Sequence, residues 1–196
     1  MYLLRMSNLE FLKSAARLSD FPRDHRPEVA IAGRSNAGKS SLINGIARSR
    51  RPIAKVSQTP GKTALLNLFD HKEGYRVVDM PGYGYASRAN TEVMTWRKMV
   101  ESYLLRRENL KVMLLVMDIR REWSEDEQLL LDLADKQNLQ FGLILSKSDQ
   151  LSKSAVMAKK NKINQELKLD LVLPYSSLSG VGLVPLEKVL FDWLLT

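Results

Sequence analysis

Short runs of apolar residues alternate along this chain with longer stretches whose apolar positions recur every three or four residues. Val29-Ala30-Ile31-Ala32 reads as a buried strand, and Ser41-Leu42-Ile43-Asn44-Gly45-Ile46-Ala47 as a helix with one apolar face. Ala64-Leu65-Leu66-Asn67-Leu68-Phe69 and Tyr75-Arg76-Val77-Val78 read as strands. His71-Lys72-Glu73-Gly74 between them is short enough for a hairpin, so this pair is expected to be antiparallel. A helix follows over residues 91–107, then a strand over Lys111–Met117. Ser124-Glu125-Asp126-Glu127 has capping-box spacing and opens a helix ending near Lys136. Phe141–Leu145 is another strand, Ser154–Leu167 a lysine-rich helix, and Leu171-Val172-Leu173 the last strand. The closing helix begins near Pro185, a residue suited to a first helical turn, and ends at Leu195.

Strands alternating with helices predict an α/β fold: a mostly parallel sheet with one antiparallel strand pair and helices on both faces. In such folds ligands bind beyond the carboxyl ends of the strands, and every motif below falls just after a strand. No internal repeat, low-complexity stretch or linker interrupts the pattern, which predicts a single domain over 28–196 with residues 1–27 as an extension packed on it. That extension has two readings. Ser7-Asn8-Leu9-Glu10 suits a helix cap, while Glu10-Phe11-Leu12-Lys13 suits a short edge strand.

Composition changes the picture in three ways. At 196 residues and 44% hydrophobic, the chain is long enough for a full-sized core. It has no cysteine, which excludes disulfides and thiolate metal sites, and His25 and His71 stand alone, suiting surface or capping roles. Its formal charge is +8, distributed unevenly: no acidic residue lies between Glu28 and Asp70. Arg48, Arg50 and Arg51 in that interval lie beyond the reach of a nucleotide and have no evident internal partner. They form either a surface for a polyanion such as RNA or a plain solvated face. The longest apolar run, Val112–Met117, is too short to cross a bilayer, and Arg5 breaks any signal-peptide core, so a soluble cytoplasmic protein is expected, with no membrane partner.

The chemistry is concentrated in four segments. Gly33-Arg34-Ser35-Asn36-Ala37-Gly38-Lys39-Ser40 fits G-x-x-x-x-G-K-[ST], a loop whose backbone N–H groups close around phosphate oxygens. Lys39 brings positive charge to the β- and γ-phosphates, and the Ser40 hydroxyl can ligate Mg²⁺. Asp79-Met80-Pro81-Gly82 follows a strand, with a carboxylate to hold Mg²⁺ through water and an N–H on Gly82 for the γ-phosphate. Asp118 is a rival for the metal, or else pairs with Arg120 or Arg121 as support; Asp79 is preferred because its motif supplies the γ-phosphate donor too. Ser146-Lys147-Ser148-Asp149 resembles the [NT]-K-x-D base reader of GTPases. Asp149 would accept from guanine N1–H and the exocyclic amino group, and Lys147 would lie over the purine ring. Tyr175-Ser176-Ser177, after the last strand, is placed to offer backbone N–H groups to guanine O6. Between loop and Asp79 lies Thr59-Pro60-Gly61-Lys62-Thr63, from which either threonine could complete the Mg²⁺ shell.

Taken together, Gly-Arg-Ser-Asn-Ala-Gly-Lys-Ser-Ser, Thr-Pro-Gly-Lys-Thr, Asp-Met-Pro-Gly-Tyr-Gly-Tyr-Ala and Met-Asp-Ile-Arg resemble, in this order, the bacterial EngB (YihA/YsxC) GTPases over nearly the whole chain. The resemblance implies a translation-factor-type P-loop GTPase fold and makes the N-terminal segment an edge strand. It makes Thr63 the metal ligand beside Ser40, with Lys39, Thr63 and Gly82 carrying the chemistry. The nucleotide set it implies extends from the phosphate loop to Ser41, and through Gly61, Lys62, Thr63, Ala64 and Leu65 to Asp79, Met80, Pro81 and Gly82. It also implies a GTP/GDP switch in assembly of the large ribosomal subunit, with that subunit or its rRNA as partner, and a link to cell division and septation. A monomer is expected. One departure is Ser146, where Thr or Asn is usual, although the hydroxyl survives. Tyr83, within the motif that carries the resemblance, stands where many other GTPases have glutamine after D-x-x-G and predicts slow intrinsic turnover. Asn36 is a candidate K⁺ ligand that would offset this, or merely a brace of the loop. The alternatives are a nucleotide-dependent RNA-binding module with negligible turnover, and a P-loop ATPase or kinase.

Overall fold

The computed structural model describes residues 7–49, 51–54, 65–83 and 90–196, the stretch 90–97 in backbone only. Among these residues one sheet contains β1 (Leu9–Ala15), β2 (Glu28–Ala32), β3 (Leu66–His71), β4 (Arg76–Asp79), β5 (Leu110–Asp118), β6 (Gln140–Ser146) and β7 (Leu171–Pro174). Their order is β1-β3-β4-β2-β5-β6-β7. β4, β2, β5, β6 and β7 run parallel. β3 opposes them, pairing with β4 through the expected hairpin and with β1 on its other side. The two readings of the N-terminal segment resolve to an edge strand.

Period-2 alternation decides what each strand buries. Ala30 and Ala32 of β2 face one way, with Met113, Leu115, Leu143 and Leu145, and meet α2 (Asn90–Arg106), α3 (Glu125–Lys136) and α4 (Lys153–Leu167). Val29 and Ile31 face the other way, with Val77, Leu114 and Ile144, against α1 (Lys39–Ala47) and α5 (Leu183–Leu195). The central strands are buried on both faces, which is why they read as unbroken apolar runs rather than alternating ones. Gly142 lets β6 fit between neighbours: a Cβ there would stand 2.8 Å from a Leu114 methyl and 3.2 Å from one of Leu171.

The helix signals are local. Ser124 and Glu127 form the expected capping box at the start of α3. The Ser152 hydroxyl accepts the Ala155 N–H at the start of α4. α5 begins at Leu183, ahead of Pro185, because the turn is set by Gly182 (φ 87°) and a Cβ there would lie 2.2 Å from the Pro174 carbonyl oxygen. Pro185 still falls in the first turn, where its missing N–H costs nothing.

Nothing in the sequence pattern predicts what ties the amino ends of the strands together. Glu28, fully buried at the start of β2, takes the Arg107 Nη2–H at 2.6 Å, an Arg76 N–H at 3.3 Å and the Tyr103 hydroxyl at 3.2 Å. Arg76 also reaches Asp24 at 2.8 Å and Asp70 at 2.7 Å. The cluster joins β2, β3, β4 and the end of α2, and it stands at the pole opposite the phosphate loop.

Of the two roles expected for His71, the structure shows the capping one: it is buried, its ring stacked on Tyr75 at 4.2 Å while Nδ1 accepts the Glu73 N–H inside the hairpin turn. One expectation fails. Arg48 has an internal partner after all: its guanidinium makes a two-pronged pair with Glu187 of α5. Arg51 is exposed, and Arg50 lies outside the described residues. No helix among the described residues is long and apolar enough to cross a membrane.

Candidate nucleotide site

Parallel β2, β4, β5, β6 and β7 end on the same edge, so Gly33, Asp79, Asp118, Ser146 and Tyr175 emerge together although they are far apart in the chain. The phosphate loop turns out of β2 at Gly33, where a Cβ would lie 2.3 Å from the Val116 carbonyl oxygen, so no side chain fits. Asn36 is exposed and left-handed (φ 61°), with Ala37 buried beneath it. Gly38 (φ 101°) starts α1 without a side-chain cap, and the first turn holds no acidic residue. A helix start left this way favours an anion. Ser40 and Ser41 lie in that first turn and are half-buried.

The Lys39 ammonium donates to the Gly33 and Arg34 carbonyls at 3.0 and 3.2 Å. Burial lowers its pKa, while the charge of Asp79 acts to raise it. Asp79, the last residue of β4, is pushed up to about 6 by burial, against the opposing pull of Lys39 and a hydrogen bond from Asn67. Its Oδ1 is buried with no hydrogen-bond partner among the described residues. An orphaned carboxylate oxygen beside a phosphate-binding loop is what a cation ligand looks like before its cation is counted. Gly82 closes this corner: a Cβ on it would stand 3.0 Å from Lys39 Nζ and 3.0 Å from the Ser35 nitrogen. Met80 is buried and Pro81 half-buried beside it.

Asp118, the rival carboxylate, is paired among the described residues where the Asp79 oxygen is not. Its carboxylate is held by Arg120 at 2.9 and 2.7 Å and by Lys147 Nζ at 3.0 Å, and the Arg120 hydrogen bond holds its pKa well below the usual carboxylate range. Lys147 is left-handed (φ 57°), and the ion pair fixes the direction of its aliphatic stem. The Ser146 hydroxyl, fully enclosed, bonds the carbonyls of Ala37 at 2.5 Å and Met117 at 3.1 Å. It thus braces the phosphate loop against β5.

Asp149 is exposed, with Oδ1 accepting the Ser176 hydroxyl at 2.6 Å and Oδ2 the Gln150 amide at 2.7 Å. These bonds, the Ser176 one first, lower its pKa and keep it ionised. Two of the three amides expected to face a guanine carbonyl are engaged elsewhere. Tyr175 N–H goes to the Leu145 carbonyl at 2.8 Å and Ser176 N–H to Val181 at 3.1 Å, which leaves Ser177. Ser176 acts through its side chain instead, and the Tyr175 hydroxyl reaches back 3.1 Å to the Ser41 carbonyl of α1. The Ser148 N–H bonds the Tyr175 carbonyl at 3.0 Å and locks the two loops together. Leu65 is half-buried just ahead of β3, whereas Thr59, Gly61, Lys62, Thr63 and Ala64 lie outside the described residues.

Comparison with known proteins agrees with this arrangement. Residues 28–147 match the family described as "50S ribosome-binding GTPase". A "Probable GTP-binding protein EngB" from Bdellovibrio bacteriovorus is 45% identical over 184 residues, spanning 94% of this chain and 91% of that protein. Another of that description, from Desulfosudis oleivorans, is 40% identical over 178 residues, spanning 90% of each. A solved structure of a probable GTP-binding protein engB superposes with a TM-score of 0.68 at 20% identity, covering 85% of this chain and 98% of that one. Era in complex with MgGDPNP and nucleotides 1506–1542 of 16S ribosomal RNA gives 0.67 at 20% identity, covering 87% of this chain and 57% of that one. Both superpositions speak to the fold alone. The GTPase matches set aside the ATPase or kinase alternative.

Proposed function

This chain belongs to the EngB family of GTP-binding proteins and is a GTPase, and we propose that it is a Mg²⁺-dependent switch in assembly of the large ribosomal subunit. The observation that carries the guanine half of this reading is the Asp149 carboxylate, anchored by Ser176 and standing on the loop-bearing edge beside Ser177. Such a carboxylate accepts from the two donors on the guanine edge, and adenine would leave it unpaired. Lys147, steered by Asp118, covers one face of the ring.

At the other end, Lys39 and the N–H groups of the loop and of α1 bind and orient the β- and γ-phosphates. The residues fit a magnesium ion: Ser40 and, through water, Asp79 would hold it together with Thr63, and the orphaned Asp79 oxygen is the structural reason for that assignment. Bound there, the ion would offset charge on the phosphate oxygens. The Gly82 N–H meets the γ-phosphate, so hydrolysis removes the contact that orders its segment. Tyr83 cannot orient water as glutamine does, because its hydroxyl donates to Glu127; intrinsic turnover is slow. Whether Asn36, exposed at the loop's tip, holds K⁺ there is read from hydrolysis rates in K⁺ against Na⁺.

The ribosomal half of the reading draws on the excess of positive charge and on the family description. The link to cell division and septation follows from resemblance, the cytoplasmic location from the sequence having no membrane or signal segment, and the monomeric state from its having no heptad repeat. Asp149→Asn tests the guanine site: it presents a donor to guanine's donor edge, so GTP affinity should fall by about 100-fold or more while xanthosine triphosphate gains. Unchanged GTP preference would remove Asp149 from the base site. Sedimentation with large ribosomal subunits, comparing GTP analogue, GDP and no nucleotide, tests the partner.

A further inference from the structure

Tyr83 is built into the molecule on both sides. Its ring is buried, and its hydroxyl donates at 2.8 Å to Oε1 of Glu127, which is only 2% exposed. The second oxygen of that carboxylate accepts the Ser124 N–H at 3.1 Å and the Ser124 hydroxyl, so Glu127 is at once Tyr83's partner and the cap of α3. On the phosphate-loop side the Tyr83 carbonyl accepts the Ser35 N–H at 3.0 Å, within an isolated parallel bridge between Arg34 and Tyr83. The Arg34 guanidinium lies 5.9 Å from the ring centroid and reaches Asp126 at 3.1 Å. Tyr83, the residue after Gly82, therefore connects the phosphate loop to the first turn of α3.

We propose that Tyr83 is a positioning residue for GTP hydrolysis, its hydroxyl latching the Gly82 segment to the first turn of α3 so that α3 senses the γ-phosphate. The proposal rests on the reading that Gly82 meets that phosphate. A buried carboxylate is costly when it loses a donor. Moving Gly82 away from the phosphates therefore either breaks the Tyr83–Glu127 bond or takes the first turn of α3 along. Either way the nucleotide state reaches α3 through a contact that has two discrete conditions, made and unmade.

Tyr83→Phe keeps the ring and its contact with Arg34 and removes only the hydroxyl. Ser152→Ala, which removes the cap of α4, serves as a control for plain loss of stability. Affinities for GDP and a non-hydrolysable GTP analogue, the single-turnover hydrolysis rate, and amide hydrogen exchange across Glu125–Gln128 are measured for each. In Tyr83→Phe, GDP affinity should stay within about twofold while analogue affinity and hydrolysis rate fall about five- to tenfold. The difference in exchange between the two nucleotides should vanish from α3. Ser152→Ala should keep the wild-type ratio and rate. An unchanged ratio and rate in Tyr83→Phe, an equal change in Ser152→Ala, or nucleotide-independent exchange in the wild-type α3 each overturns the latch. Gly82→Ala separates the two ideas. If it keeps the wild-type ratio of analogue to GDP affinity, the γ-phosphate contact itself falls; if it shifts that ratio towards GDP and Tyr83→Phe does not, only the latch falls.

Discussion

At the scale of single residues, small side chains hold the site in shape. Ser146→Ala would leave the Ala37 and Met117 carbonyls without their shared donor in an enclosed spot. The expected cost is about 1–3 kcal/mol of stability, with GTP and GDP affinity falling together by about tenfold, because the brace serves the loop and not the γ-phosphate. Chemical denaturation and titration with both nucleotides check the two halves. His71 makes a pH prediction. Burial lowers its pKa against the opposing pull of Glu73 and Glu187, with Lys72 assisting burial. A group whose pKa is depressed by folding contributes stability that is present above its unfolded value, about 6.5, and lost as pH falls below it. His71→Phe keeps the stack on Tyr75, so its melting temperature should decline less than the wild type's between pH 7.5 and 5. Parallel curves for the two proteins would remove His71 from the acid sensitivity.

At the scale of elements, the two poles of the sheet have separate jobs. The Glu28–Arg76–Arg107 cluster joins strand starts to the end of α2, while the nucleotide residues occupy the strand ends. Removing one member of a buried ion pair strands the others, so Arg76→Ala should destabilise the fold by about 3–5 kcal/mol. GTP affinity at the opposite pole should hardly move, which urea unfolding and nucleotide titration on the same sample would show. The capping box of α3 was readable from Ser124 and Glu127 because a cap is a local event. Glu127's second task was not, since Tyr83 approaches it from a distant part of the chain.

At the scale of the whole molecule, the +8 charge is not one uniform field. Arg48 belongs to the fold, clamping the end of α1 to Glu187, whereas Arg51 faces solvent. Arg48→Ala should lower stability by the ~0.2–1 kcal/mol typical of a surface pair, read as a modest drop in melting temperature, and leave the salt dependence of the proposed ribosomal-subunit binding unchanged. Replacing Arg50 and Arg51 should do the reverse, flattening the plot of log affinity against log salt by up to about one unit for each phosphate no longer neutralised. Binding measured across a KCl series distinguishes these outcomes. If the double replacement leaves the slope intact, the basic run is a solvated face.

The sequence by itself determined the class of fold, the order of strands and helices from β2 onward, and where the candidate phosphate, metal and base motifs fall along the chain. These depend on short-range periodicity and on residue types at fixed spacing, which a chain carries with it. It also marked Asp79 and Asp118 as rivals for the metal and preferred Asp79, whose motif supplies a γ-phosphate donor as well. Only the tertiary structure decided that Asp118 is neutralised by Arg120 and Lys147 while one Asp79 oxygen has no partner among the described residues. Only it decided that Ser176 serves through its hydroxyl, that Arg48 is not free, and that His71 is enclosed. The reason is physical. Which donor meets which acceptor depends on strand order and on what each sheet face covers, and those are settled by packing among residues far apart in the chain.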